Sequence, residues 1–476
     1  MENVVKVDEK LKLKEKLAYA FGDAGCVAMF SLIGALLQKF YTDILYIAPE
    51  HIMILFLVAR IWDGINDPIW GRIVDTRKVR KTGRYRHWLL WLAFPLALSS
   101  VLMFFKIPGL SQAGYLVYAY ITYFLFDIFY TAVNIPYGSL ASVMTTDEKD
   151  RSTLSIFRSA GSGVGGIPSM ILASLCYVTV TLADGTEKKQ MNFEILIIGV
   201  AIIAVLGVGL LLFCYYNTKE RTGVLAEKPK PKKGESLKIM ATFLKNRAFM
   251  AICAASMLLI AGQMFTQTYY LYLLDYYFNT PELYMAIMVS TYAPMAILMF
   301  FMNKIIARVG KKEICAIGML LAAAANFTIL ALQTSSPYVF LALCFVSGTG
   351  IAFFVLEVWA MVNDVIDHHM IITGLKEEAT SYSFFSFTRK LGQTIAGVLS
   401  TQALVWIGYK VGENVIQTKE TVEGMYDIAA IVPAVLFLAI ALILIFIYPL
   451  GKRQLAILQI QKRKFYQEID VIISEE

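Results

Sequence analysis

The chain has 476 residues, 58% of them hydrophobic and 17% charged, with a mean hydropathy of +0.61 and a formal charge of +7. Soluble domains run at roughly 45–50% apolar and about 25% charged, so a water-soluble enzyme or nucleic-acid-binding domain is excluded as the body of the molecule. The surplus of Lys and Arg reads as loop charge that orients membrane spans.

The N-terminal tail carries Lys6, Lys10, Lys12, Lys14 and Lys16 and leads straight into the first apolar block. It lacks the short apolar core and small-residue site of a cleaved signal peptide. Twelve blocks are long enough to cross a bilayer, at about 17–46, 51–74, 87–106, 114–144, 153–180, 192–216, 248–278, 284–307, 314–334, 337–366, 379–408 and 426–449. Basic loops at Arg77 to Arg86, Lys219 to Arg247 and Lys462 to Lys464 alternate with poorly charged ones such as Pro108 to Gly114 and Asn279 to Glu282. That alternation predicts a multi-pass cell-membrane protein with both termini cytoplasmic.

The expected fold is an all-α membrane protein of twelve transmembrane helices in two six-helix halves. Residues 1–216 form the first half with the cation site, 217–247 a basic cytoplasmic linker around Lys228-Pro-Lys-Pro-Lys-Lys-Gly234, and 248–476 the second half with a short tail. A faint repeat supports this division: span 2 ends in a basic run from Gly71 to Arg84, and span 8 in one from Asn303 to Lys312. Parallel halves of this kind suit the major facilitator architecture.

Span 1 places Asp23 within Phe21-Gly-Asp-Ala-Gly25. Span 2 is the most telling, because Arg60, Asp63 and Asp67 stand in an apolar run where a central Asp costs roughly 2.5–3.5 kcal/mol. Helical spacing puts Asp63, Asn66 and Asp67 on one face, with Arg60 a turn away as their charge partner. Oxygen ligands suit a hard cation, and paired carboxylates also suit a proton, so Na+, Li+ and H+ all stay open as the coupling ion. A structural charge cluster is the alternative. Pro68 is expected to bend or unwind the helix.

Span 4 carries a second polar stripe, Asp127, Thr131, Asn134 and Gly138, flanked by Tyr130 and Tyr137. Such a stripe can hydrogen-bond a hydroxylated ligand; polar helix packing is the alternative. Span 5 holds Arg158 ahead of a Gly-rich stretch from Gly161 to Gly166, and span 11 holds Arg389 and Lys390. Arg158 and Lys390 are expected to neutralise the span 2 carboxylates or to hold an anionic ligand. Asp364, Asp367, His368 and His369 read as a solvated helix end, and the six cysteines as packing residues without a disulfide.

The motifs Phe21 to Gly25, Phe40-Tyr-Thr-Asp43, Ala59 to Asp67, Asn134-Ile-Pro-Tyr-Gly-Ser-Leu140 and Tyr382 to Gln393 together resemble the glycoside-pentoside-hexuronide cation symporter family, which includes melibiose permease. The resemblance runs from about Leu17 to Gly408. It implies cation-coupled uptake of a glycoside, pentoside or hexuronide by alternating access. Asp63, Asn66, Asp67 and Thr131 match the family's cation-site positions, Tyr130 and Arg158 match positions near the sugar, and Lys390 matches a lysine between the two. Two acids that hold galactoside in melibiose permease stand here as Val27 and Asn134, and its stacking tryptophan as Gly138. Tyr382 to Lys390 looks closer to the glucuronide and xyloside branch. With Arg158, Arg389 and Lys390 kept, the loss of two acids predicts a more positive cavity and an anionic, uronate-bearing ligand.

The expectation is therefore a carrier, not an enzyme: a functional monomer in the bilayer, with a small-molecule sugar ligand, no organic cofactor and no nucleic-acid partner. A major facilitator carrier of a lipid or other amphiphile using the same cation site is the alternative.

Overall fold

The computed structural model describes residues 11–76, 83–145, 148–181, 187–221, 242–373, 378–412 and 415–461. Lys6, Lys10, most of the basic loop after span 2, the run Lys228 to Gly234 and Lys462 to Lys464 lie outside the described residues.

Two compact units emerge. The first comprises Met1–Lys228 with Asn279–Met285 and Leu404–Gln417, and the second comprises Pro229–Phe278, Ala286–Ala403 and Thr418–Glu476. In chain order the helices are α1 (Leu13–Asp43), α2 (Pro49–Thr76), α3 (Arg86–Met103), α4 (Gln112–Met144), α5 (Glu148–Gly165), α6 (Ile167–Leu175), α7 (Phe193–Asn217) and α8 (Arg247–Tyr276). They continue with α9 (Tyr284–Leu298), α10 (Met302–Val309), α11 (Lys311–Leu332), α12 (Pro337–Thr373), α13 (Glu378–Trp406) and α14 (Lys419–Ile447). Among the described residues, eight helices are long and apolar enough to cross a membrane: α1, α3, α4, α7, α8, α11, α12 and α14. The other expected spans carry charge, as α2 and α13 do, or are interrupted, as α5–α6 and α9–α10 are.

Two local expectations need correction. The block at 153–180 is not one helix: it breaks at Gly166, and Tyr177–Thr181 is a strand (β1) paired antiparallel with Glu187–Met191 (β2). Tyr-Val-Thr-Val-Thr is β-branched and alternating, a pattern that favours a pleated ribbon once the apolar helix has ended at Leu175. Conversely, α2 runs unbroken through position 68, so the proline does not unwind it.

In the first unit, α5 packs on α1 through a small-residue seam. A Cβ added at Gly161 would overlap the Ala20 carbonyl, and one at Gly165 would sit 2.6 Å from the carbonyl oxygen of Ala24. This Gly161-x-x-x-Gly165 spacing lets two backbones meet, as expected where lipid removes any hydrophobic preference for one neighbour. On the other side of α1, a Cβ at Gly25 would lie 2.8 Å from the Gly207 carbonyl oxygen on α7. The second unit repeats the device, Gly318 of α11 lying against Gly350 of α12. Its core gathers Phe249, Ile252, Met319, Phe354, Val362 and Phe437.

Polar contacts fasten the helix ends of the first unit. Glu220 accepts from the backbone N–H groups of Arg84, Tyr85 and Arg86 at 2.8, 2.8 and 2.9 Å, closing the N-terminus of α3. Glu15 pairs with Arg221 at 2.8 Å, and Lys16 with Asp150 at 2.7 Å. At the far end of α1 the 1%-exposed Lys39 pairs with Asp43 at 2.6 Å, and Tyr409 donates to the same carboxylate at 2.7 Å. The backbone N–H of Met285 donates to Ser174 Oγ at 2.8 Å. The six cysteines are free thiols, and every one is buried.

Candidate cation and substrate site

Among the described residues of the first unit, two clusters of charge gather the expected site residues. The first joins α2 to α4. Arg60 Nη1 donates to Asp63 Oδ2 at 2.8 Å, Asn66 Nδ2 donates to Asp127 Oδ2 at 2.9 Å, and Thr131 Oγ1 donates to Asp67 Oδ1 at 3.3 Å. Arg60 also lies close to Tyr123 and Asp127. Successive positions on α2 thus meet positions four apart on α4, in the order Tyr123, Asp127, Thr131, so the two helices run in the same direction with matched register.

Inside this ladder the Asp63 and Asp127 carboxyls lie within reach of each other. Asp63 Oδ1 is buried and has no hydrogen-bond partner among the described residues. Carboxylates, an amide and a hydroxyl make an all-oxygen donor set, so the residues present fit a small hard cation.

The second cluster joins α1, α4 and α5. Arg158 Nε donates to Asp23 Oδ1 at 3.0 Å, and the guanidinium lies over the Tyr137 ring at 5.3 Å. Tyr137 stacks on Tyr19 and donates to the Tyr19 carbonyl at 2.7 Å. The Gly161 and Gly165 seam sets this pairing, since it brings α5 close enough to α1 for an Arg to reach an Asp 135 residues away. The Nη1 of Arg158 points at Gly138, 3.5 Å from where a Cβ would stand.

Each expected site residue can now be placed. Asp63, Asn66, Asp67, Thr131 and Arg60 come together with Asp127, while Asp23, Arg158 and Gly138 form the other cluster. Of the two roles expected of Arg158, neutralising the α2 carboxylates is not met among the described residues, while holding an anionic ligand stays open. Asp23 claims it, and Arg60 serves α2. Tyr130 is stacked between Phe30 and Phe126, with ring centroids at 4.9 and 5.8 Å, and Val27 and Asn134 are half-buried on α1 and α4. Lys390 and Arg389 belong to the second unit, Lys390 exposed on α13 and Arg389 over the Trp359 ring at 5.4 Å. The expected solvated end of α12 is also corrected. His369 is buried on Phe243, with its ring nitrogens beside Thr242 and Asn246, and Asp364 pairs with Lys311 at 2.7 Å.

Tyr123 and the Lys39–Asp43–Tyr409 contact went unnoticed in the sequence. Tyr123 sits one helical turn before Asp127 on the same stripe, and Lys39 and Asp43 are an i, i+4 charge pair within an apolar span, so both carried a readable signal.

The sequence matches the MFS/sugar transport protein family over residues 18–452. The chain belongs to that family. An uncharacterized symporter of Bacillus subtilis (strain 168), YjmB, is 33% identical over 454 residues, covering 94% of this chain and 95% of that one. The glucuronide carrier protein homolog of Escherichia coli (strain K12) is 28% identical over 476 residues, covering 97% and 98%. The fold matches a crystal structure of a D-xylose-proton symporter with a TM-score of 0.62 at 12% identity, over 92% of this chain and 98% of that one. This protein is therefore a membrane-embedded sugar or glycoside transporter of the major facilitator type, not an enzyme.

Proposed function

We propose that this transporter couples uptake of an anionic glycoside or hexuronide to a small cation, Na+, Li+ or H+, by alternating access. The observation that carries the coupling is the α2–α4 ladder, where the Asp63 and Asp127 carboxyls lie within reach of each other beside Arg60 and Asp67 takes the Thr131 hydroxyl. Asp63, Asn66, Asp67 and Thr131 would hold the cation, whose charge offsets the excess of carboxylate there.

Arg158 supports the choice of ligand. Asp23 fixes the guanidinium through Nε and leaves the Nη edge turned toward the space above Gly138. A planar fork held this way recognises a carboxylate in two-point fashion. Asp23 also offsets the charge of Arg158, so the preference for an anion rests on this geometry rather than on a positive cavity. The glucuronide carrier homolog is consistent with such a ligand.

In this reading the halves at 1–216 and 248–476 rock about a site near the membrane midplane, joined by the 217–247 linker. Both termini face the cytoplasm and the monomer is the working unit. Counterflow in proteoliposomes tests the function: a glucuronide should exchange and compete, with a rate that responds to Na+ or pH. A neutral xyloside carried well while glucuronide is ignored would overturn the anionic reading.

A further inference from the structure

We infer that Asp127 is an additional carboxylate ligand of the coupling cation, an inference that rests on the cation reading above. By its position in the polar stripe of α4, Asp127 reads from sequence as a group for a hydroxylated substrate. The structure turns it the other way. Its Oδ2 takes the Asn66 amide at 2.9 Å, and the same amide nitrogen lies 3.4 Å from the Asp127 carbonyl oxygen.

That contact has two effects. It orients Asn66 so that its Nδ2 side is committed to α4, leaving the amide oxygen as the end available to a cation. It also brings the Asp127 carboxyl against Asp63. Asp63 is 9% exposed, its Oδ2 is held by Arg60, and its Oδ1 has no hydrogen-bond partner among the described residues. Arg60, Asn66 and Tyr123 lie beside the two carboxyls, and Asp67 meets Thr131 one turn further along. A buried carboxyl and a half-buried one within reach of each other are the arrangement that a bound cation stabilises.

Asp127 adds one formal negative charge to those that Asp63 and Asp67 bring to the ladder. More negative charge around a fixed set of oxygens favours a compact, strongly held cation, so Asp127 sets affinity and selectivity for Na+ and Li+ over K+.

The test uses the full-length purified carrier without sugar. Calorimetric titration with NaCl and LiCl should give saturable binding. Asp127→Asn should weaken that binding about tenfold or more, as loss of a group around a metal site does. The rise in Tm that NaCl produces should shrink in step, which reads only folded protein. Asp127→Glu should recover part of both. In transport, KM for Na+ should rise by at least about tenfold while KM for glycoside at saturating Na+ moves less than about twofold.

Asp127→Asn binding Na+ as tightly as the unaltered carrier would overturn the inference. So would a loss of glycoside affinity with Na+ binding intact, which would return Asp127 to the substrate. If the unaltered carrier bound neither Na+ nor Li+, the metal-cation reading beneath the inference would fall with it.

Discussion

The α2–α4 ladder makes a sharp demand on single residues. Asp63→Asn or Asp67→Asn should abolish gradient-driven accumulation while leaving glycoside exchange measurable, because the amide keeps the shape and removes the charge that pairs with the cation. The ratio of internal to external glycoside under an imposed gradient reads this directly; full accumulation in both variants would sink the assignment. Arg158→Lys should raise KM for a glucuronide by about tenfold, since an ammonium cannot reproduce a fork held through Nε by Asp23. A neutral glycoside should lose less. The carboxylate face of α2 was legible in the sequence because its residues share one helix and a fixed period. The partners of Arg158 and Asp127 were not, because 135 and 61 residues separate them from Asp23 and Asn66, and tertiary packing alone decides which charges meet. The stripe on α4 was seen as a stripe; that its upper part faces α2 while Gly138 faces Arg158 depends on how the neighbouring helices pack.

Elements show the same division between local and non-local information. Apolar blocks of about 20 residues announced most helices, since a span must bury its backbone polar groups within itself. The β1–β2 ribbon and the break at Gly166 were missed because an apolar run can be helix or strand, and periodicity over five residues decides weakly between them. The glycines of α5 now carry a prediction. Gly161→Ala or Gly165→Ala should force α5 away from α1 and cost about 1–3 kcal/mol, seen as a lower Tm and a lower yield of folded carrier. Gly163, with nothing within 4 Å of an added Cβ, is the matched control, and Gly163→Ala should leave Tm unchanged or slightly raised. Equal effects at all three positions would mean that the seam does not hold the pair together.

For the whole molecule, coupling is a statement about linkage. If cation and glycoside bind the same state preferentially, each must raise the other's affinity by the same factor, typically corresponding to about 1–3 kcal/mol. Calorimetry of each ligand with and without the other should return equal factors; independence would leave no thermodynamic basis for symport. Stability at this scale also depends on the buried charge at the end of α1. Lys39→Met would remove the buried ammonium that pairs with Asp43 at 2.6 Å and should destabilise the carrier, read as a fall in Tm.

The six buried thiols give the chain a practical property. Water-soluble maleimides need an accessible thiolate, so the native protein should stay nearly silent toward them in its folded state. A cysteine introduced at an exposed position such as Gln112 would then report alone, without removal of any native cysteine. Fluorescent or spin labels placed in pairs on this background can follow conformational exchange in a carrier whose own sequence has not been stripped to suit the probe.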